Sequence, residues 1–398
     1  MARRFSLYLL PLCSVLSTFP SHAELLNTDW VKIPGKNQSG ILFGGDDQFA
    51  SMQLNIRGQF RYSSRFPDVP REPDDFQGAE KDKFNVNRAR LKAKGHVGKP
   101  WLTYSWEYEL ADEFLLDYQF RFEKYDALKF KAGQWKLEYS RERSISSGGQ
   151  QMLERSLINR VFTIDRHKAV SVYGQFNKGT HADINYWAGI ASGQGRGNDI
   201  SGPGRPLYFA RVQWNPTGNG VGFVASDLKG HEDLAISVAY SWADYESLFS
   251  RFSSSGGGQV KRWPTTEGQI NDVSQFNLDS ALMYKGFSWQ GEYHEKEVQA
   301  AGQPTLELDG FYAQGGYFVH RALSWWPKDV EMAARFAAYE SQIDFNTHTN
   351  RERAVAVNWF LDGHNNKITA DITKYDLSSD EYPDYDDTRF RLQWDVTF

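Results

Sequence analysis

The chain has 398 residues, a formal net charge of −5, 15% aromatic residues and one cysteine, Cys13. After Phe19 no stretch supplies the ~18 consecutive apolar residues of a membrane helix, and without a basic balance the composition argues against a nucleic-acid partner. Cys13 lies in an N-terminal leader, so the mature chain carries no thiol, which removes disulfide, zinc-thiolate and cysteine-nucleophile chemistry.

The leader comes first. Arg3 and Arg4, an apolar stretch from Phe5 to Phe19 and the small-residue site Ser21-His22-Ala23 read as a signal peptide over 1–23, with the mature chain starting near Glu24. Its removal takes the formal charge from −5 to −7. Residues 24–50, with Gly40 to Gly45 and Asp46-Asp47, read as an irregular periplasmic lead-in.

From 51 to 398 the pattern has period two. Strand-like windows run over 51–62, 84–97, 101–110, 114–123, 126–136, 168–177, 181–191, 206–214, 232–242, 275–285, 286–297, 308–319, 329–339, 352–361, 366–375 and 387–398. About sixteen windows, an even number, place both ends of a barrel in the periplasm. Short links rich in turn formers, such as Gly98-Lys99-Pro100 and Lys285-Gly286, alternate with longer ones, such as 63–83, 137–167 and 243–274. Two links fit less well. Ala111 to Phe114 is a short external loop, and Asn215 to Asp233 is a long periplasmic link that leaves room for a miscalled strand.

Many windows reach the ~10 residues that a tilted strand needs to cross the hydrocarbon layer, longer than the usual strand of a soluble sandwich. Aromatics gather near their ends, at Tyr62, Trp101, Trp214, Trp242, Tyr284, Trp325, Trp326 and Trp359, as an interfacial girdle would. The last window alternates throughout, with Phe390, Leu392, Trp394, Val396 and Phe398 on one face. The fold class that follows is all-β: a transmembrane antiparallel β-barrel in the bacterial outer membrane.

The lumen face follows by elimination, because Arg or Lys near the bilayer midplane costs about 2–4 kcal/mol. In the second window Arg88, Arg90, Lys92, Lys94 and His96 oppose Ala89, Leu91, Ala93, Gly95 and Val97, so the basic side points inward. Arg57 and Arg61 in the first window, Arg121 in the fourth, and Lys129 and Lys131 in the fifth extend this into one basic wall, a ladder of sites for small anions. An alternative is a wall largely neutralised by lumen carboxylates such as Glu107, Glu109, Asp117, Glu123, Asp183, Asp279 and Asp371.

The third external loop, about 137–167, carries Arg141, Arg143, Arg155, Arg160 and Arg166 with Ser144, Ser146 and Ser147. Folded inward, it would make Arg141, Arg143 and these serines a constriction; the alternative is an ordinary surface loop. The eighth external loop, with Asp376, Asp380, Glu381, Asp384, Asp386 and Asp387, could bridge divalent cations to lipopolysaccharide or simply be solvated. His167, His181, His294, His320 and His364 show no metal spacing. No Walker, HExxH or G-x-S-x-G motif is present, so neither a cofactor nor a catalytic residue is expected and enzyme activity is the weaker class.

The segments Asn87-Arg-Ala-Arg-Leu91, Lys131-Ala-Gly-Gln-Trp-Lys-Leu-Glu138 and Glu154-Arg-Ser-Leu157, followed by Arg166 and the strand Ala169 to Gly174, resemble the phosphate-selective porin O and P family. The match is best over 50–180 and rests on strand pattern alone beyond. The resemblance implies a sixteen-stranded porin, usually trimeric, whose third loop folds inward and whose arginine and lysine ladder passes phosphate or related anions such as polyphosphate. It carries that role onto Arg57, Arg61, Arg88, Arg90, Lys92, Lys94, Lys129 and Lys131, and onto Arg141 and Arg143 in the loop. The acidic balance and the carboxylates of the third strand depart from the family and leave a weakly selective porin, or one for carboxylates or acidic sugars, as a rival. An adhesion or glycan-contact surface protein is a rival of another class, in which loop aromatics such as Trp263 would matter more.

Overall fold

Alternation makes a strand two-faced, and sixteen such strands hydrogen-bond in chain order in a computed structural model that describes residues 31–398 apart from 33–38, 46, 65–68, 71, 78–81, 199–202, 265 and 344–345. The expected signal peptide lies outside the described residues. The strands are β1 (Ala50–Ser63), β2 (Lys83–Val97), β3 (Lys99–Glu109), β4 (Phe114–Tyr125), β5 (Leu128–Lys136), β6 (Arg166–Phe176), β7 (Asp183–Ala191) and β8 (Leu207–Asn215), then β9 (Ala235–Ser247), β10 (Asn271–Tyr284), β11 (Phe287–Gln299), β12 (Leu306–Phe318), β13 (Val330–Ile343), β14 (Asn346–Asp362), β15 (Asn366–Ser379) and β16 (Tyr385–Thr397). Every neighbouring pair is antiparallel, and β16 returns to β1 from Arg391↔Ser63 to Thr397↔Arg57, which closes the barrel.

Tight turns sit at the periplasmic end. Lys285 and Gly286 form a two-residue hairpin loop with φ of 47° and 82°, the left-handed pair that matches the twist of the flanking strands. The lead-in is less irregular than its glycines suggest: Ile41–Phe43 pairs with Met52–Leu54 of β1, and Val31–Lys32 pairs with it in turn. Below the end of β16 the edge of β1 would otherwise expose unpaired backbone groups, and this segment covers them.

The outer face is apolar, with Ile56, Phe120, Phe130, Val170, Val212, Leu278, Val355 and Ile372 exposed to the surroundings of the barrel. The third external loop, Leu137 to Asp165, folds into the lumen. Its Leu157, Ile158, Val161, Phe162 and Ile164 join Tyr245, Val273, Val298, Leu308, Tyr312 and Tyr339 of β9–β13 in the main apolar core, so the core lies inside the barrel, between the loop and one wall. Each large side chain so buried contributes roughly 1.5–3 kcal/mol.

Polar pins fix the same contact. Glu292 of β11 accepts from the Glu142 N–H and, at 2.9 Å, from Ser140 Oγ; the Leu157 N–H donates to Glu352 at 2.7 Å. Gln275 donates to the Phe162 carbonyl at 2.9 Å. The loop is therefore held against β9–β14, and the chambers left in the lumen lie on its other side, mainly against β1–β6.

The long periplasmic connection, 216–234, contains no strand. It folds inward from the periplasmic end, with Val221 buried and its N–H donating to Ser237 Oγ at 2.8 Å. The fifth external connection dips in from the other end as a short hairpin, Arg251–Ser253 against Gly256–Gly258, whose Phe252 packs edge-on to His167 at 4.4 Å. Trp263 in the same connection is buried and bonded to Asn271 at 2.6 Å, so it presents no aromatic surface outward.

Candidate functional site

The basic wall begins with the alternation of β2. Opposite Gln59 and Phe60 of β1, Asn87 of β2 is the extra residue of a bulge, after which Arg88, Arg90, Lys92 and Lys94 share the lumen face, in register with Gln59, Arg57, Asn55 and Gln53. Opposite them the inward loop presents Arg143, Ser144, Ser146, Ser147 and Arg155. Together with Arg88, Arg90, Lys92, Glu107, Lys136, Arg166 and Ser254 these loop residues line a chamber of about 190 Å³.

Seven cations line this chamber: Arg88, Arg90, Lys92, Lys136, Arg143, Arg155 and Arg166. Five carboxylates pair with them among the described residues. Glu107 bridges Arg90 at 2.7 Å and Lys92 at 3.3 Å, Glu109 holds Arg90 at 2.8 Å, Asp117 holds Arg166 at 2.7 Å, Glu154 holds Arg88 at 3.1 Å, and Asp165 pairs with Arg143. Seven against five leaves two positive charges, and Glu154 is further shared with Arg61 at 2.8 Å.

The excess rests on Lys136 and Arg155, which donate to carbonyls rather than to carboxylates. Lys136 Nζ reaches the carbonyls of Arg143, Ser144 and Ile145 at 2.8, 3.1 and 3.2 Å. Arg155 reaches those of Glu142 and Ile145 at 3.0 and 2.6 Å. These are the carbonyls at the end of the short helix Arg141–Ser144, so the two cations serve as its C-terminal cap.

Titration follows this layout. Burial, then the Arg143 and Arg88 guanidiniums, lower the Arg155 pKa well below its ordinary value. Burial alone would raise the Glu154 carboxyl, but Arg88 and Arg61 reverse this and hold it well below the usual carboxylate range.

A second chamber of about 460 Å³ adjoins the first at Lys92, Glu107 and Ser146 and lies toward the periplasm. Its lining includes Arg57, Lys92 and Lys94 with Gln53 and Asn55 on one side, and Gly148-Gly149, Phe223 and Val224 on the other. Gly148 packs closely there: a Cβ would stand 2.8 Å from the Arg57 guanidinium carbon and push that side chain aside.

The remaining residues singled out in the sequence fall elsewhere. Arg57 is committed to Asp395 at 2.8 Å across the β16–β1 seam, and Arg61 to Glu154 and Gln393. Lys131 is buried against Glu138, Trp135 and Tyr173, and Lys129 pairs with Asp126 at 3.4 Å near the periplasmic turn. Arg121 donates to Ser105 and Gln119. Arg141 does not face the path. It is fully buried and grips the carbonyls of Val221, Gly222 and Val224 at 3.3, 2.6 and 3.2 Å, tying the inward periplasmic connection to the loop.

Lys136 is the site residue that period-two reading missed. It is the last residue of β5, where alternation stops and the chain turns into the loop. Among the eighth-loop carboxylates, Asp376 pairs with Arg353 and Asp386 with Lys374, and no cluster of metal-ligand type occurs among the described residues.

The sequence profile of the phosphate-selective porin O and P family matches residues 55–398. The chain belongs to that family. This porin resembles solved barrels at low identity: an anion-selective porin from Comamonas acidovorans (10% identical, TM-score 0.58, covering 88% of this chain and all of the other) and the outer membrane channel DcaP of Acinetobacter baumannii (11%, TM-score 0.59, 91% and all). A further likeness is to the outer membrane protein OmpT of Vibrio cholerae (12%, TM-score 0.54, 88% and 98%). No curated protein sequence matches significantly. The family and the closed barrel make this an outer-membrane porin.

Proposed function

We propose that this porin favours small anions, phosphate or polyphosphate first, and that the contact between its inward loop and the β2 wall sets that preference. The observation that carries the reading is the charge balance of the upper chamber, with seven cations against five carboxylates. Guanidinium groups stay charged at physiological pH and fork onto phosphate-type oxygens, while the paired carboxylates keep binding shallow enough for release. Extensive pairing of the wall supports a graded preference rather than an absolute one, with Arg88, Arg90, Lys92 and Arg143 next to the solute and Arg57, Arg61 and Lys131 behind them.

A solved form of OmpT is described as a trimer, which together with the family supports a homotrimer here. Outward Arg353 and Lys374 at the external rim would meet lipopolysaccharide phosphates, and the 1–23 leader would be removed near Ala23. Planar-bilayer recording tests the central reading. Under a salt gradient the reversal potential takes the sign of anion preference, and phosphate reduces the chloride current. A cation-selective reversal potential rejects the proposal.

A further inference from the structure

A purely hydrophilic bore would serve inorganic anions best, yet the lower chamber has an apolar side. Val224 is 43% exposed and Phe223 partly buried, both on the connection that folds in from the periplasmic end. They are held there deliberately in the physical sense: Arg141, fully buried, bonds the backbone carbonyls on either side of Phe223, and the Phe223 ring rests near Trp187 at 5.9 Å. Across the same chamber stand Lys92, paired with Glu107 at 3.3 Å, and Lys94, with which no carboxylate pairs among the described residues; Glu107 and Asp117 line the chamber as well.

Water gains little from Phe223 and Val224, and a bare oxyanion loses hydration against them. A solute with an anionic head and a compact apolar body gains on both sides at once. The chamber, at about 460 Å³, falls within the ~300–1,000 Å³ typical of small-molecule sites, although most of its lining is polar and the apolar surface is confined to one side; the upper chamber, at about 190 Å³, falls below that range.

We infer that the lower chamber is a second subsite, which selects organic anions carrying a ring-sized apolar body, with the head group on Lys92 and Lys94 and the body on Phe223 and Val224. The inference rests on the anion reading above and deepens it: the upper chamber sorts by charge and the lower one by the rest of the solute.

Block of chloride current by phenyl phosphate and by inorganic phosphate, at a pH where both are dianions, tests it on the full-length porin in planar bilayers. The expected half-blocking concentration is about tenfold lower for phenyl phosphate, as partial burial of one ring provides. In Phe223→Ser the ratio falls to within about twofold, and in Phe223→Leu, which keeps an apolar surface, it stays near the natural value. Equal block by the two phosphates in the unmodified porin, or a ratio that Phe223→Ser leaves intact, overturns the subsite. Cation preference in the same membranes would instead overturn the anion reading itself, so the two failures are distinguishable.

Discussion

Lys136 and Arg155, nineteen positions apart, donate to the same atom, the Ile145 carbonyl oxygen, at 3.2 and 2.6 Å. Two cations converge on one neutral acceptor because the loop offers them the end of a helix instead of a carboxylate. This arrangement leaves the upper chamber positive while satisfying the backbone of the loop.

Lys136→Gln should therefore lower selectivity without disturbing the paired wall. One charge at a partly screened site is worth about 1 kcal/mol or more. The anion-to-cation permeability ratio from reversal potentials should fall several-fold, and the fall should shrink at high salt.

Glu154→Gln acts in the opposite direction. It frees Arg88 and Arg61 together, so phosphate should block at lower concentration. Because the folded carboxyl sits well below its ordinary value near 4.3, its contribution to stability is complete above that value and is lost as pH falls toward the folded one. The difference in urea midpoint between the natural porin and Glu154→Gln should be constant from about pH 8 to 5.5 and narrow below about pH 4.

Arg141→Met should release the periplasmic connection. Three carbonyls lose their donor, at about 1–3 kcal/mol for each group left unsatisfied. Single-channel conductance should rise and become noisier, with anion preference largely kept because the upper chamber is untouched.

Asp395→Ala should weaken the seam. Arg57 is left buried and unpaired between β1 and β16, a loss of about 3–5 kcal/mol. Heat-modifiability on detergent gels should show unfolding at a lower temperature than in the natural porin.

Period two revealed the strand count, the alternation of turns and loops, and the face of β2, because a lipid boundary punishes any charge on the wrong side. It could not reveal which cations are spent. Arg57 finds Asp395 across the closing seam, and Arg88 finds Glu154 only because the loop folds back over β2. Arg141, grouped in the sequence with the other loop arginines, turned out to be a clamp, since nothing local distinguishes a side chain that faces solutes from one that grips a neighbouring backbone. The connection 216–234 stayed opaque because its inward course depends on Arg141 and Ser237, not on its own pattern.

The placement of Phe162 and its neighbours against the inner wall has a mechanical corollary. An aperture whose rim is anchored in an oil-like seat cannot swing aside without exposing that seat to water. Flux through it should level off with rising solute concentration because of site occupancy, not because a shutter moves.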